Sequence, residues 1–311
     1  MISMVIATRN RAHTLSLVAS SFFEQESVTE YIFVNDHSDD NTEEVVRGIA
    51  AMYPYKKLVF ITNPKQCGQG QSRNIGLEHV TNEYVLFCDD DEYMEPDYAV
   101  TCMEKHKKYN AGVVSGRRVY MREGETRAEA LKRFGDGMRS VPPYYPVLCE
   151  YANAARFSGD SEQPLVNAIM LTRVDILKKF PFDPYYFQGN GYREESDFHM
   201  NLYVNGYKNY MTNACHTVHL PLTQVKTGGQ RVNLWRRVYW SSRYNNYFMG
   251  KYYDRYRKIY GLLTPKWAAK CAFYVFVVYK EFLRPTLRDI YVAVLGRKSD
   301  ADGRSKAEAA T

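Results

Sequence analysis

Two groups of carboxylates in this sequence have the spacing to do chemistry. Asp89-Asp90-Asp91-Glu92 directly follows the apolar run Tyr84 to Cys88, so four carboxyl groups emerge where a buried strand would reach a cleft. Such crowding repels itself unless a cation neutralises it. Hard divalent ions take oxygen ligands, and Mg²⁺ usually binds through one or two carboxylates together with substrate phosphates. Asp89 and Asp91, two apart, can serve one ion; a solvated acidic turn is the alternative. The second group, Glu194-Glu195-Ser196-Asp197, opens a predicted helix, where acidic side chains are also favoured by the helix dipole. On that helix Glu194 and Asp197 share a face while Glu195 is turned about 100° away, so one carboxylate can reach a cleft while the others fix the helix or bind Arg193.

The elements that must position these groups alternate in period. Strands are predicted at Ile2 to Ala7, Tyr31 to Asn35, Leu58 to Thr62, Tyr84 to Cys88 and Gly112 to Tyr120. Helices fall between them, near Thr14 to Phe23, Thr42 to Met52, Gln71 to His79 and Pro96 to Tyr109. This is a wound α/β sheet, in which ligands sit beyond the carboxyl ends of the strands. The polar clusters Thr8-Arg9-Asn10-Arg11, Asp36-His37-Ser38-Asp39-Asp40 and Asp89 to Glu92 fall at those ends. Residues 124–164 read as an irregular, acceptor-side segment, Leu165 to Thr172 as a returning strand, and Glu194 to Asn205 as a helix stopped by Gly206.

These residues carry a resemblance. The chain resembles glycosyltransferase family 2, whose enzymes have the GT-A fold, a wound mixed sheet flanked by helices that binds a nucleotide-sugar. Val34-Asn35-Asp36-His37-Ser38-Asp39-Asp40-Asn41-Thr42 is similar to the family's V-D-D-G-S-x-D-x-T, Gly70 to Leu77 to its A-R-N-x-G-L, and Phe87 to Glu92 to its F-L-D-x-D-D. Asn35 stands where the family has its first Asp, and His37 where it usually has Gly. The resemblance implies nucleotide-sugar contacts from Thr8, Arg9, Asp36, Arg73, Asp89 and Asp90. It implies Mn²⁺ or Mg²⁺ on Asp91 with Asp89, a general base at Glu195 in an E-E variant of the family's E-D motif, and Glu194 as its neighbour. The implied reaction is an inverting transfer to a glycan, glycolipid or lipid-linked acceptor.

His216 and His219, three apart in a predicted strand, fall on opposite faces, so at most one faces the ion; the resemblance favours His219. Gly68-Gln69-Gly70 does not make a dinucleotide fingerprint, because it follows the third strand and has Arg73 where the last Gly should be. A sugar-nucleotide nucleotidyltransferase would need a Gly-rich loop after the first strand, and Thr8-Arg9-Asn10-Arg11 has none. A non-catalytic sugar-binding protein is opposed by the intact Asp89, Asp91 and Glu195.

The charge is unevenly spread over the 311 residues. Residues 1–225 hold 23 Lys and Arg against 29 Asp and Glu; residues 226–311 hold 18 against 6. The expected layout is a GT-A domain over 1–225 (donor half about 1–120, acceptor half about 121–225), a helical aromatic and basic extension over 226–297, and a disordered tail over 298–311. Arg231, Trp235 and Arg236 are candidates for holding an acceptor or its phosphates. The stretch Trp267 to Leu283 is apolar or aromatic at 14 of 17 positions, too short and too interrupted by Lys270, Lys280 and Glu281 to span a bilayer. It is expected to lie on the cytoplasmic face of the cell membrane. No nucleic-acid motif accompanies the basic end. The start shows no export-signal pattern, and six scattered cysteines without a C-x-x-C pair read as reduced thiols of a cytoplasmic protein.

Overall fold

The computed structural model describes residues 1–134, 144–151, 156–225 and 233–284. The first half alternates as its period predicts: β1 (Ile2–Thr8), α1 (Ala12–Val18), α2 (Ser20–Phe23), β2 (Val28–Asn35), α3 (Thr42–Ala50), β3 (Lys57–Thr62), α4 (Gln69–Glu78), β4 (Tyr84–Cys88), β5 (Glu92–Met94), α5 (Tyr98–Tyr109) and β6 (Val113–Tyr120). β1 and β4 are buried almost throughout, as strands covered by helices on both faces must be. Met4 and Ile6 enter one core with Leu15, Val18 and Phe22. Val5 points the other way, into a core with Phe87, Phe198 and Leu202.

Residues 124–164 are less irregular than their composition implies. α6 (Arg127–Phe134) begins on a capping box, in which Thr126 N–H and Oγ1–H donate to Glu129 (both 2.8 Å) and Glu129 N–H donates back to Thr126 Oγ1 (3.3 Å). The short β7 (Tyr144–Tyr145) and β8 (Glu150–Tyr151) pair with each other, and β9 (Asp160–Glu162) joins the main sheet. The strand expected over Leu165 to Thr172 is confined to β10 (Met170–Arg173), because side chains satisfy the earlier backbone: Asn167 N–H donates to Ser115 Oγ and Ala168 N–H to Asn167 Oδ1. The chain closes with α7 (Val174–Lys179), α8 (Glu194–Val204), β11 (Asn209–His219), α9 (Leu234–Tyr260), α10 (Lys266–Val278) and a π-helical segment, Tyr279–Leu283.

The strand order is β3-β2-β1-β4-β10-β6-β11-β5. β3, β2, β1 and β4 are parallel. β10 is antiparallel to both β4 and β6, so β6 and its parallel neighbour β11 run in the β4 direction. The carboxyl ends of β1, β2, β4, β6 and β11 therefore share one edge. Residues 89–91 alone connect β4 to β5, four places away in the sheet. Four Cα steps reach about 15 Å, whereas four flat strand spacings need about 19 Å. The sheet must curl, which brings the acidic turn over the end of β11.

α9 buries Ser241, Tyr244, Asn245, Phe248, Met249, Tyr252, Tyr253 and Tyr256, a stripe of helical period. Of these, Phe248, Met249, Tyr252, Tyr253 and Tyr256 form one core with Met200 and Val204 of α8, and with Ala269, Phe273 and Val277 of α10. The aromatic and basic helix thus packs on the sheet body along one face.

Candidate active site

The acidic turn is shaped by arginines. Asp89 receives Arg118 Nη2 on Oδ2 (2.8 Å), Arg73 Nη2 on Oδ1 (3.1 Å) and Gln69 Nε2 on Oδ1 (3.1 Å). Burial alone would raise its pKa, but Arg118 and Arg73 outweigh that and hold it below the ordinary carboxylate value. Asp90 is paired with Arg11 Nε at 3.2 Å, with Thr8 beside it. There burial wins, with Asp91 adding repulsion, and the carboxyl is pushed up to about 7. Asp91 lies 3.8 Å from Arg11 Nη2 and 3.7 Å from His219 Nε2. Glu92 opens β5 in register with His219 on β11. It is fully buried against Arg118, and its Oε2 has no hydrogen-bond partner.

Among the described residues, Asp91, Glu92 and His219 offer ligand atoms within 4.8 Å of one another. The orientation of His219 follows from its neighbour: Nδ1 lies 2.6 Å from the Leu220 carbonyl oxygen, which can only accept, so Nδ1 is the donor there and Nε2 is the ring nitrogen turned to Asp91, 3.7 Å away. That donor set fits a divalent cation that takes oxygen and imidazole ligands. Glu92 was not among the expected ligands, and Asp89 is not in this cluster because two arginines hold it. His216 turns away and meets Asn213 Oδ1 at 3.3 Å.

α8 reaches this turn through one side chain. Arg73, buried on α4, binds Glu194 Oε1 (3.1 Å) and Glu195 Oε1 (2.7 Å) through Nη1 while Nη2 holds Asp89. Its guanidinium lies over the Phe87 and Phe182 rings, 5.7 Å from each centroid. Glu194 is buried and pushed up to about 8 by desolvation, against the attraction of Arg73. Glu195 is the open carboxylate, its side chain 24% exposed. The close approach depends on Gly70, where a Cβ would stand 2.6 Å from the Phe187 ring and 2.7 Å from Glu194 Cδ. Arg193, expected as a partner of these carboxylates, instead donates to the Leu148 and Cys149 carbonyls and to Asn245 of α9, pinning the start of α8.

The other expected residues are spread around this centre. Thr8 is buried at the end of β1, and Arg9 donates from Nε to the His37 carbonyl (3.4 Å). Asp36 accepts from Cys67 N (2.8 Å), Gly68 N (2.9 Å) and Asn63 Nδ2 (3.0 Å), so its carboxylate braces the loop into α4. Burial would raise its pKa, but these donors lower it below the usual carboxylate value. Trp235 packs on Phe282 and Arg236 is exposed, both at the start of α9; Arg231 lies outside the described residues. The tryptophan that does meet the loop before α8 is Trp240, whose ring fills the space where Gly189 would carry a Cβ.

Residues 3–180, more than half of the chain, match the family described as glycosyl transferase family 2. An uncharacterised glycosyltransferase of Nostoc is 35% identical over 186 residues, 59% of this chain and 54% of that protein. Four curated relatives, all glycosyltransferases by name, are matched over 13% to 54% of their own lengths. The structure of S. aureus TarS (residues 1–349) with UDP-GlcNAc superposes with a TM-score of 0.58 at 14% identity, covering 90% of this chain and 72% of that one. GalNAc-T7 with UDP, GalNAc and Mn²⁺ gives 0.65 at 13% identity, covering 83% and 50%. The curled mixed sheet is that of the GT-A fold, and the chain belongs to glycosyltransferase family 2.

Proposed function

We propose that this protein transfers a sugar from a nucleoside diphosphate donor, a UDP-sugar, to an acceptor hydroxyl with inversion at the anomeric carbon. The observation that carries the reading is the single guanidinium of Arg73, which binds Asp89 of the acidic turn and Glu195 of the base helix together. The two carboxylate groups thus face one space rather than two. UDP is the nucleotide named for the TarS and GalNAc-T7 complexes.

The division of labour follows burial and charge. Glu194, buried and with its pKa raised by desolvation, fixes Arg73; the more open Glu195 takes the proton of the acceptor hydroxyl. The hydroxyl oxygen forms its bond to the anomeric carbon as the bond to the diphosphate oxygen breaks, and the nucleoside diphosphate departs. Asp91 and His219, with Glu92 behind them, would hold Mn²⁺ or Mg²⁺, which when bound neutralises the leaving diphosphate. Thr8, Arg9, Asp36, Asp90 and Arg73 form or brace the donor side at the ends of β1, β2 and β4. The region 1–120 serves the donor and 121–225 the acceptor, a glycan or lipid-linked saccharide, with Trp235 and Arg236 as candidates for its outer part. The setting is the cytoplasm, at the membrane.

Glu195→Gln tests the assignment. Transfer should fall by about 10²- to 10⁴-fold, while the thermal shift produced by UDP with Mn²⁺ persists. Asp91→Asn should instead erase the Mn²⁺-dependent part of that shift. Wild-type turnover by the Glu195 variant would overturn the role of the base.

A further inference from the structure

α10 is apolar on two opposite faces. Ala269, Phe273 and Val277 are buried against the body. Trp267, Tyr274, Val275 and Val278 lie on the other side, with Trp267 and Val275 each 70% exposed. Tyr279 and Leu283 of the π-helical segment add exposed apolar surface, and Trp235 of α9 extends it by packing on Phe282 at 5.5 Å between ring centroids. The ridge from residue 267 to 283 is about 24 Å long. A helix with apolar residues all round is normally covered on every side, and the described residues bury this one on one.

Charge is sorted across the same hairpin. Glu281 turns inward to Arg237 (2.7 Å), and Asp254 is paired with Lys266 (2.6 Å). Among the described residues, the other charges of α10 and the π-helical segment after it are Lys270, Lys280 and, just past its end, Arg284, with Arg236 next to Trp235 on α9, all basic. Tryptophan and tyrosine on an apolar stripe flanked by lysine and arginine are the composition of a helix that lies in a lipid interface. No described helix is long and apolar enough to cross a membrane.

We propose that the outer face of α10, with Trp235 beside it, is a docking surface for an anionic lipid bilayer, with the helix lying in the plane of the headgroups. This deepens the membrane placement in the functional reading above by naming the surface. It does not require that the catalytic assignment be correct.

Cosedimentation of the full chain with vesicles tests it. Binding is expected to phosphatidylcholine vesicles rich in phosphatidylglycerol, weakened by salt, and not to phosphatidylcholine alone. Lys270→Ala and Lys280→Ala should each weaken it about fivefold. Trp267→Ser combined with Val275→Ser and Val278→Ser should abolish it, with the UDP thermal shift retained as proof of folding. Glu195→Gln should sediment like the wild type, so failure of the catalytic reading and failure of docking are distinguishable. Absence of sedimentation, or sedimentation unaffected by the triple substitution, overturns the proposal. So does a wild-type dimer that the triple substitution splits without any vesicle binding, since a second copy would then be the cover. Binding that appears only after deletion of residues 285–311 would assign the face to that segment instead.

Discussion

The sheet body and the α9–α10 hairpin handle charge in opposite ways. In the body, Arg11 and Arg73 are buried and Arg118 nearly so, and each guanidinium meets two or three carboxylates. In the hairpin, Glu281 and Asp254 meet Arg237 and Lys266, Lys251 reaches back to Asp183 and Asp197, and Arg236, Lys280 and Arg284 face outward. Buried charge fixes geometry, because an unpaired ion in a low-dielectric site is expensive. Exposed charge of one sign creates a field and constrains no position. The first region is therefore built to place atoms, and the second to meet a surface.

Removing one buried cation should have the largest effect on stability. Arg73→Leu leaves Asp89, Glu194 and Glu195 without their shared partner and should cost about 3 to 5 kcal/mol, read as a lower urea midpoint at unchanged slope. Lys280→Ala on the hairpin should move the same midpoint by no more than about 0.5 kcal/mol. Similar effects from the two would break the comparison.

A smaller effect is expected where the body is held by close approach rather than charge. Gly70→Ala drives a methyl group into the Phe187 ring and the Glu194 carboxyl. Overpacking of that kind costs about 1 to 3 kcal/mol. Because the strain falls on Glu194, and through it on Arg73, transfer should drop more than UDP binding does. Equal losses in both would place Gly70 in the nucleotide pocket instead.

How much of this was legible in the sequence depended on the range of the interaction. β1 to β4 and their helices were legible because each carries its own period and its own stop, and the turn at Asp89 announced itself by following five apolar residues. The Thr126-x-x-Glu129 box was a local signal for α6 that the surrounding Tyr and Gly obscured. By contrast, nothing near Glu92 in the sequence says that it lies against Arg118 and His219, since that depends on β5 pairing with β11 across the curl of the sheet. The partners of Arg73 were hidden for the same reason: Glu194 and Glu195 are more than a hundred residues away. The stripe of α9 was readable from its spacing, and the choice of Trp240 over Trp235 for the loop before α8 was not.

Histidine protonation should act on the body alone, because all seven histidines lie in residues 1–225. Burial pushes His199 down to about 3, helped by the Arg73 charge, and His106 down to about 4, helped by Arg173. The native protein therefore refuses protons that the unfolded chain accepts below a pKa of about 6.5, and stability falls as pH drops through that value. Each histidine should contribute about 1 kcal/mol of loss between pH 6.5 and 5.5. Glu194 acts in the opposite sense: raised to about 8, it contributes stability at low pH that is lost as pH rises through 8. The useful measurement is thus the difference in pH slope between wild type and His199→Gln, and equal slopes would show that His199 titrates normally.

The smallest expected change is a gain, and it lies in the hairpin. Gly250 sits on the exposed side of α9, with helical backbone and nothing within 4 Å of an added Cβ. Alanine there removes conformational freedom from the unfolded chain and meets no neighbour in the folded one, so Gly250→Ala should stabilise by about 0.5 to 1 kcal/mol. The same replacement that harms the body at Gly70 should help here, since the two glycines differ in what surrounds them rather than in helix position alone. A thermal midpoint raised without change in transfer or vesicle binding is the expected result. A gain accompanied by weaker vesicle binding would mean that α9 bends at Gly250 when the hairpin meets lipid, and that placing atoms and meeting a surface are not separate tasks in this chain.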